Sequence, residues 1–99
     1  MISPEDIRLV ETCGACPEQY DAFVGDREVG YLRLRHGRFT VQCPDVGGEY
    51  VYVAHPEGDG VFEDKERDGY LNEAKAAIAD WVNADSAQKA VDEWSGDGE

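Results

Sequence analysis

This chain of 99 residues is short of positive charge: nine Lys and Arg stand against 22 Asp and Glu, for a formal net charge of −13. That balance argues against direct contact with DNA, RNA or an anionic membrane, whose phosphates would repel it. It favours solubility and basic partners. No stretch approaches the roughly 20 apolar residues needed to span a bilayer, and the N-terminus lacks the apolar run of a secretory signal. Three cysteines cannot form a complete disulfide framework, so a reduced, cytoplasmic setting is expected. The expected cofactor is none, and the chain is expected as a monomer or homodimer.

What is present suffices for one core. Hydrophobic residues make up 41% of the chain, ten of its residues are aromatic, and its length suits a single domain over residues 1–94 with a tail at 95–99. The acid is unevenly placed. Residues 1–56 carry nine acids and five bases, whereas residues 57–99 carry thirteen acids and four bases. Arg27, Arg33, Arg35 and Arg38 supply four of the five bases in the first part, so one mildly basic sheet face and one strongly acidic end are expected.

The clearest local pattern is Gly30–Cys43. Leu32 and Leu34 alternate with Arg33 and Arg35, the turn His36-Gly37-Arg38 follows, and Phe39, Val41 and Cys43 alternate with Thr40 and Gln42. Around this hairpin, strands are predicted over Gln19–Val24, Val29–Arg35, Arg38–Cys43 and Glu49–His55. Short connections make them an antiparallel meander.

Ser3-Pro4-Glu5-Asp6 reads as a helix start for a short N-terminal helix, with a strand through Ile7–Val10 as the competing reading. Leu71, Ala74, Ile78, Trp81 and Val82 form a helical stripe, with Asp64 or Asp68 as its cap. The stripe loses phase near Asn83. A break and a second short helix are predicted there, carrying Ala87, Ala90, Val91 and Trp94, with Asp85 and Gln88 as a capping box. The expected class is α+β: a four-stranded antiparallel sheet with the C-terminal helix on one face.

Several motifs touch on chemistry. Cys13-Gly14-Ala15-Cys16 is a CxxC pair. Joined by Cys43 and either His36 or His55 it would make a Cys₃His zinc set, although the second pair lacks close spacing. A redox dithiol is disfavoured because Pro17 and a strand-like segment follow, not a long helix. Asp64–Lys75 resembles an EF-hand calcium loop, with Asp64, Glu66 and Asp68 at alternate positions and Gly69 at the turn. Lys75 stands where a bidentate Glu is required. Neither histidine sits in a recognisable nucleophile motif, so no catalytic residue is expected and the chain is read as a non-enzyme.

Two surfaces are the candidate partner-binding sites. One is the acidic run Glu57, Asp59, Glu63, Asp64, Glu66 and Asp68, continued by Glu73 and Asp80. The other is the outer sheet face, with Tyr31, Arg33 and Arg35 on one strand and Tyr50 and Tyr52 sharing a face of another.

The hairpin segment Glu28–Val41, within a similarity running from about Gln19 to Val82, resembles small acidic proteins of phages, prophages and other mobile elements. Small acidic α+β proteins of such elements include anti-CRISPR proteins, some of which imitate nucleic acid to block a nuclease. The resemblance implies docking on a basic surface of a partner protein. It carries no catalytic motif and assigns no functional residue.

Overall fold

The computed structural model describes the backbone of residues 1–14 and 18–98, and side chains as far as residue 85. Five strands run in order: β1 (Arg8–Gly14), β2 (Glu18–Val24), β3 (Arg27–Arg35), β4 (Arg38–Cys43) and β5 (Glu49–Ala54). They form one antiparallel sheet in which spatial order equals chain order. A single helix, α1 (Asp64–Gly98), follows and packs on one face. The class is α+β, with one strand more than the sequence pattern suggested and, among the described residues, one α-helix where that pattern suggested three helices.

The extra strand is β1. The Ser3-Pro4 start yields only a 3-10 turn over Pro4–Asp6, in which the Asp6 carboxylate accepts from the Ser3 N–H at 2.9 Å. After Ile7 the chain extends and pairs with β2, Leu9 opposite Ala22 and Val10 opposite Asp21. Pairing satisfies backbone groups that a short helix ahead of Gly14 would leave open at both ends.

The break near Asn83 does not occur, and α1 is assigned without interruption to Gly98, through the segment expected as a tail. Asn83 is polar on an otherwise apolar stripe because it holds the N-terminus. Its Oδ1 accepts from the Ile2 N–H at 2.9 Å and its Nδ2 donates to the Ile2 carbonyl at 3.0 Å. No Pro or Gly interrupts residues 70–95, so nothing there forces the helix to stop. The side chains of Ala87, Gln88, Ala90, Val91 and Trp94 lie outside the described residues, as do Cys16 and Glu99.

The hairpin is as expected. His36 and Gly37 both take positive φ, 55° and 71°, as a two-residue type I′ turn requires, and Arg35 faces Arg38 across its mouth. Leu32, Leu34, Phe39, Val41 and Cys43 are fully buried on the helix side, joined there by Tyr20, Ala22 and Val29. Each large apolar side chain so buried contributes about 1.5–3 kcal/mol. From the helix come Ala74, Ile78, Ala79 and Val82, with Leu71, Tyr70 and Trp81 half-buried at the margin. Phe62 (3% exposed) plugs one end against Phe39, ring centroids 4.9 Å apart and edge to face, while Tyr70 stacks on Phe62 at 5.7 Å and meets Phe39 at 6.3 Å.

The closest approach of helix and sheet is at Gly30. A Cβ placed there would stand 2.8 Å from Ile78 Cδ1. Gly30→Ala is therefore expected to lower stability by about 1–3 kcal/mol through overpacking. Ile78→Val removes the offending methyl, so the double variant Gly30→Ala/Ile78→Val should lose less than the two single changes combined in denaturant melts. Strict additivity would show that the contact is not the cause.

Candidate functional site

The acidic segment begins where β5 ends, and a buried carboxylate anchors it. Glu18, on β2, is 1% exposed. It receives the Tyr20 hydroxyl, the Phe62 N–H at 3.0 Å, and Arg67 through Nε at 2.9 Å and Nη2 at 3.3 Å. Arg67 also donates to the Phe62 carbonyl at 3.2 Å and pairs with Asp64 at 2.7 Å. The Glu18 backbone N–H bonds Gly60 O at 2.7 Å. Sheet, loop and helix start are thus tied at one point. Burial by itself would push the Glu18 carboxyl up, but the hydrogen bonds from Arg67, Tyr20 and Phe62 outweigh it and hold it below its ordinary value. Burial and the neighbouring Glu18 carboxylate push the Tyr20 hydroxyl strongly upward, so it stays protonated and donates.

Glu66 organises the loop itself. Its carboxylate accepts the backbone N–H groups of Glu57, Gly58 and Glu63, each at 2.9 Å. Partial desolvation opposes its charge, and these three donors prevail, keeping its carboxyl low. Glu63, whose carbonyl accepts from the N–H groups of Glu66 and Arg67, starts the helix, so the cap is neither Asp64 nor Asp68. Asp64 through Lys75 lie in α1, so no calcium-loop conformation exists. No group of three or more His, Cys, Asp or Glu that could hold a metal is found among the described residues.

Of the acidic run, Glu57 pairs loosely with Lys65 at 3.4 Å, both well exposed, which contributes about 0–1 kcal/mol. Asp59, Glu63 and Asp68 are exposed and form no ion pair among the described residues. Farther along the helix Glu73 accepts from the Tyr52 hydroxyl, and Asp80 is exposed.

The outer sheet face matches part of the expectation. Tyr31, Arg33 and Arg35 do share it, with Gln42 and Thr40 opposite the first two on β4. Tyr50 and Tyr52 do not share a face. A register shift between Val41 and Gln42 pairs Val41 with Tyr52 and Gln42 with Tyr50, leaving Val51 as the extra residue. Tyr52 therefore turns to the helix side, where it packs edge to face with Phe39. Tyr50 stays outside, 57% exposed, with the Arg38 guanidinium 5.9 Å from its ring centroid. Val53, opposite Thr40 on the outer face, is 42% exposed.

Arg33, Arg35, His36, Arg38, Thr40 and Tyr50 line a hollow of about 350 Å³. Arg38 and Thr40 are not among the partner-binding residues expected from the sequence, and His36 figures there only as a candidate zinc ligand. The signal that could have found them was the pairing forced by a two-residue turn, which sets Arg35 against Arg38.

The zinc reading fails on geometry. Cys13 lies opposite Gln19 on the outer face of β1, while Cys43 is buried on the inner face of β4. Two intervening strands put them about 14 Å apart at the usual spacing. Burial pushes the Cys43 thiol up to about 12, so it is inert. Comparison with known proteins found no matching family model, no matching characterised protein and no matching solved structure.

The Glu18 network sets an acid limit to stability. Its carboxyl titrates lower folded than unfolded, so its contribution is complete above the ordinary value of 4.5 and drains away as pH falls through the folded value. Wild-type stability should fall more steeply as pH drops below about 5 than that of Glu18→Gln. At neutral pH, Arg67→Met should cost about 3–5 kcal/mol by leaving a buried charge unpaired. The double variant Glu18→Gln/Arg67→Met should cost much less than the two separately, and equilibrium unfolding measures all four proteins.

Proposed function

We propose that this chain is a non-enzymatic interaction protein that docks its acidic loop and helix start on a basic surface of a partner protein. What supports the reading is the state of the carboxylates at that end. Glu66 and the Glu18–Arg67 pair hold the loop against the helix, so Asp59, Glu63 and Asp68 stand exposed and unneutralised on a fixed frame. A fixed row of carboxylates presents charge without the ordering cost of a flexible acidic tail. On this reading the partner is a nucleic-acid-binding protein, these carboxylates stand where phosphates would lie, and the chain acts as its inhibitor, as the resemblance of the hairpin segment to mobile-element proteins would imply.

The test is capture of a nucleic-acid-binding partner at low and high salt, with short duplex DNA as competitor. Capture should weaken by on the order of tenfold or more between about 50 mM and about 500 mM salt, be displaced by the duplex, and be lost in Glu63→Lys/Asp68→Lys. Yields that ignore both salt and the two substitutions would remove the proposal.

A further inference from the structure

The hollow on the outer face presents an arrangement that the fold does not need. In a chain with more than twice as many acids as bases, Arg33, Arg35 and Arg38 form no ion pair with any carboxylate among the described residues. Arg35 and Arg38 are directly opposite one another across the hairpin, a like-charge pairing that weakens a sheet. The Arg33 Nε is buried and has no hydrogen-bond partner, a costly state for a charged donor. The carboxylates nearest in register lie toward the opposite end of this face. Asp21 is paired with Tyr31, and burial, with the charges of Asp21 and Asp45, pushes the Glu28 carboxyl above its ordinary value. Positive and negative groups of one sheet face are thus kept apart instead of being allowed to neutralise each other. Asp59 is the acid closest to the turn, with Oδ1 3.7 Å from where a Cβ on Gly37 would be.

Unpaired guanidinium groups converging on one hollow are a receptor for an oxyanion. A carboxylate has two oxygens and is matched by one bidentate arginine. Three arginines, with Thr40 and Tyr50 lining the same hollow, offer several donors and neutralise more than one charge, which suits the three terminal oxygens of a phosphate dianion. The Tyr50 ring beside Arg38 gives an adjoining group a flat surface to lie on. The net charge of the chain repels a long polyanion far more than a single phosphate. We propose that the hollow lined by Arg33, Arg35, Arg38, Thr40 and Tyr50 is a binding site for the phosphate group of a small phosphomonoester. This site adjoins the acidic docking edge at Asp59, beside the Gly37 turn, and its proposal does not depend on that edge.

Titration with inorganic phosphate and with adenosine monophosphate, at millimolar levels and constant ionic strength, tests this by melting temperature and calorimetry. Both should raise the melting temperature saturably, and the nucleotide should bind more tightly if the ring surface contributes; equal affinities would assign the site to phosphate alone. Arg33→Gln and Arg38→Gln should each weaken binding by about tenfold or more. Arg35→Thr should do the same while raising the melting temperature of the ligand-free protein, because it relieves the Arg35–Arg38 repulsion, a gain that a purely structural arginine would not show. The proposal is overturned if sodium chloride of equal ionic strength reproduces the shift, if the shift survives in Arg35→Thr and Arg38→Gln, or if an oligonucleotide or a glutamate-rich peptide binds more tightly than either phosphate ligand.

Discussion

The structure hangs on one buried carboxylate. Among the described residues Glu18 is the sole charged residue that is fully enclosed, and it links β2 to the loop after β5 and to the first turns of α1. A buried ion pair of this kind adds little net stability when complete, but it is severe on alternatives. Any other placement of the helix start would leave the Glu18 charge without donors and the Phe62 N–H without an acceptor. The network therefore acts as a latch that selects one docking of α1. Phe62 then closes the aromatic cluster with Phe39 and Tyr70 behind it.

That latch also shapes the surface. Holding the loop by Glu66 and the helix by Arg67 consumes part of the acidic run internally and leaves the remainder exposed at fixed positions. Carboxylates that read as one continuous strip in the chain thus divide into those that build the loop and those that face outward. On the other side of the sheet the division runs the opposite way. Residues that local energetics would pair off, the arginines of the hairpin and the acids at the far end of the same face, stay apart. Unrelieved repulsion between Arg35 and Arg38 and an unsatisfied Arg33 donor are local conflicts in a fold that is otherwise consistent, and such conflicts gather where a surface has work to do.

Legibility in the chain followed the range of the interaction. Leu32, Leu34, Phe39 and Val41 announced their strands because a period of two needs only near neighbours, and His36-Gly37 announced the turn because both must adopt positive φ. The helix stripe at Ala74, Ile78 and Val82 was equally plain. Asn83 looked like a helix end because its partner, Ile2, is 81 positions away. Tyr50 and Tyr52 looked like neighbours on one face because a bulge opposite Val41 and Gln42 leaves no mark in β5 itself. Glu18 looked like one more surface acid, since its three donors come from Tyr20, Phe62 and Arg67, the last 49 positions on.

By itself the amino-acid order determined the class of the fold, the hairpin at its centre, the apolar face of the helix and the excess of negative charge, all of which arise from local periodicity and composition. Only the tertiary structure decided that Arg8–Gly14 is a strand, that α1 is unbroken, that Cys13 and Cys43 never meet, and that Arg33, Arg35 and Arg38 share a hollow with Tyr50. These outcomes depend on strand register and on contacts between distant positions, and each is set by which donors and acceptors the completed fold brings within reach.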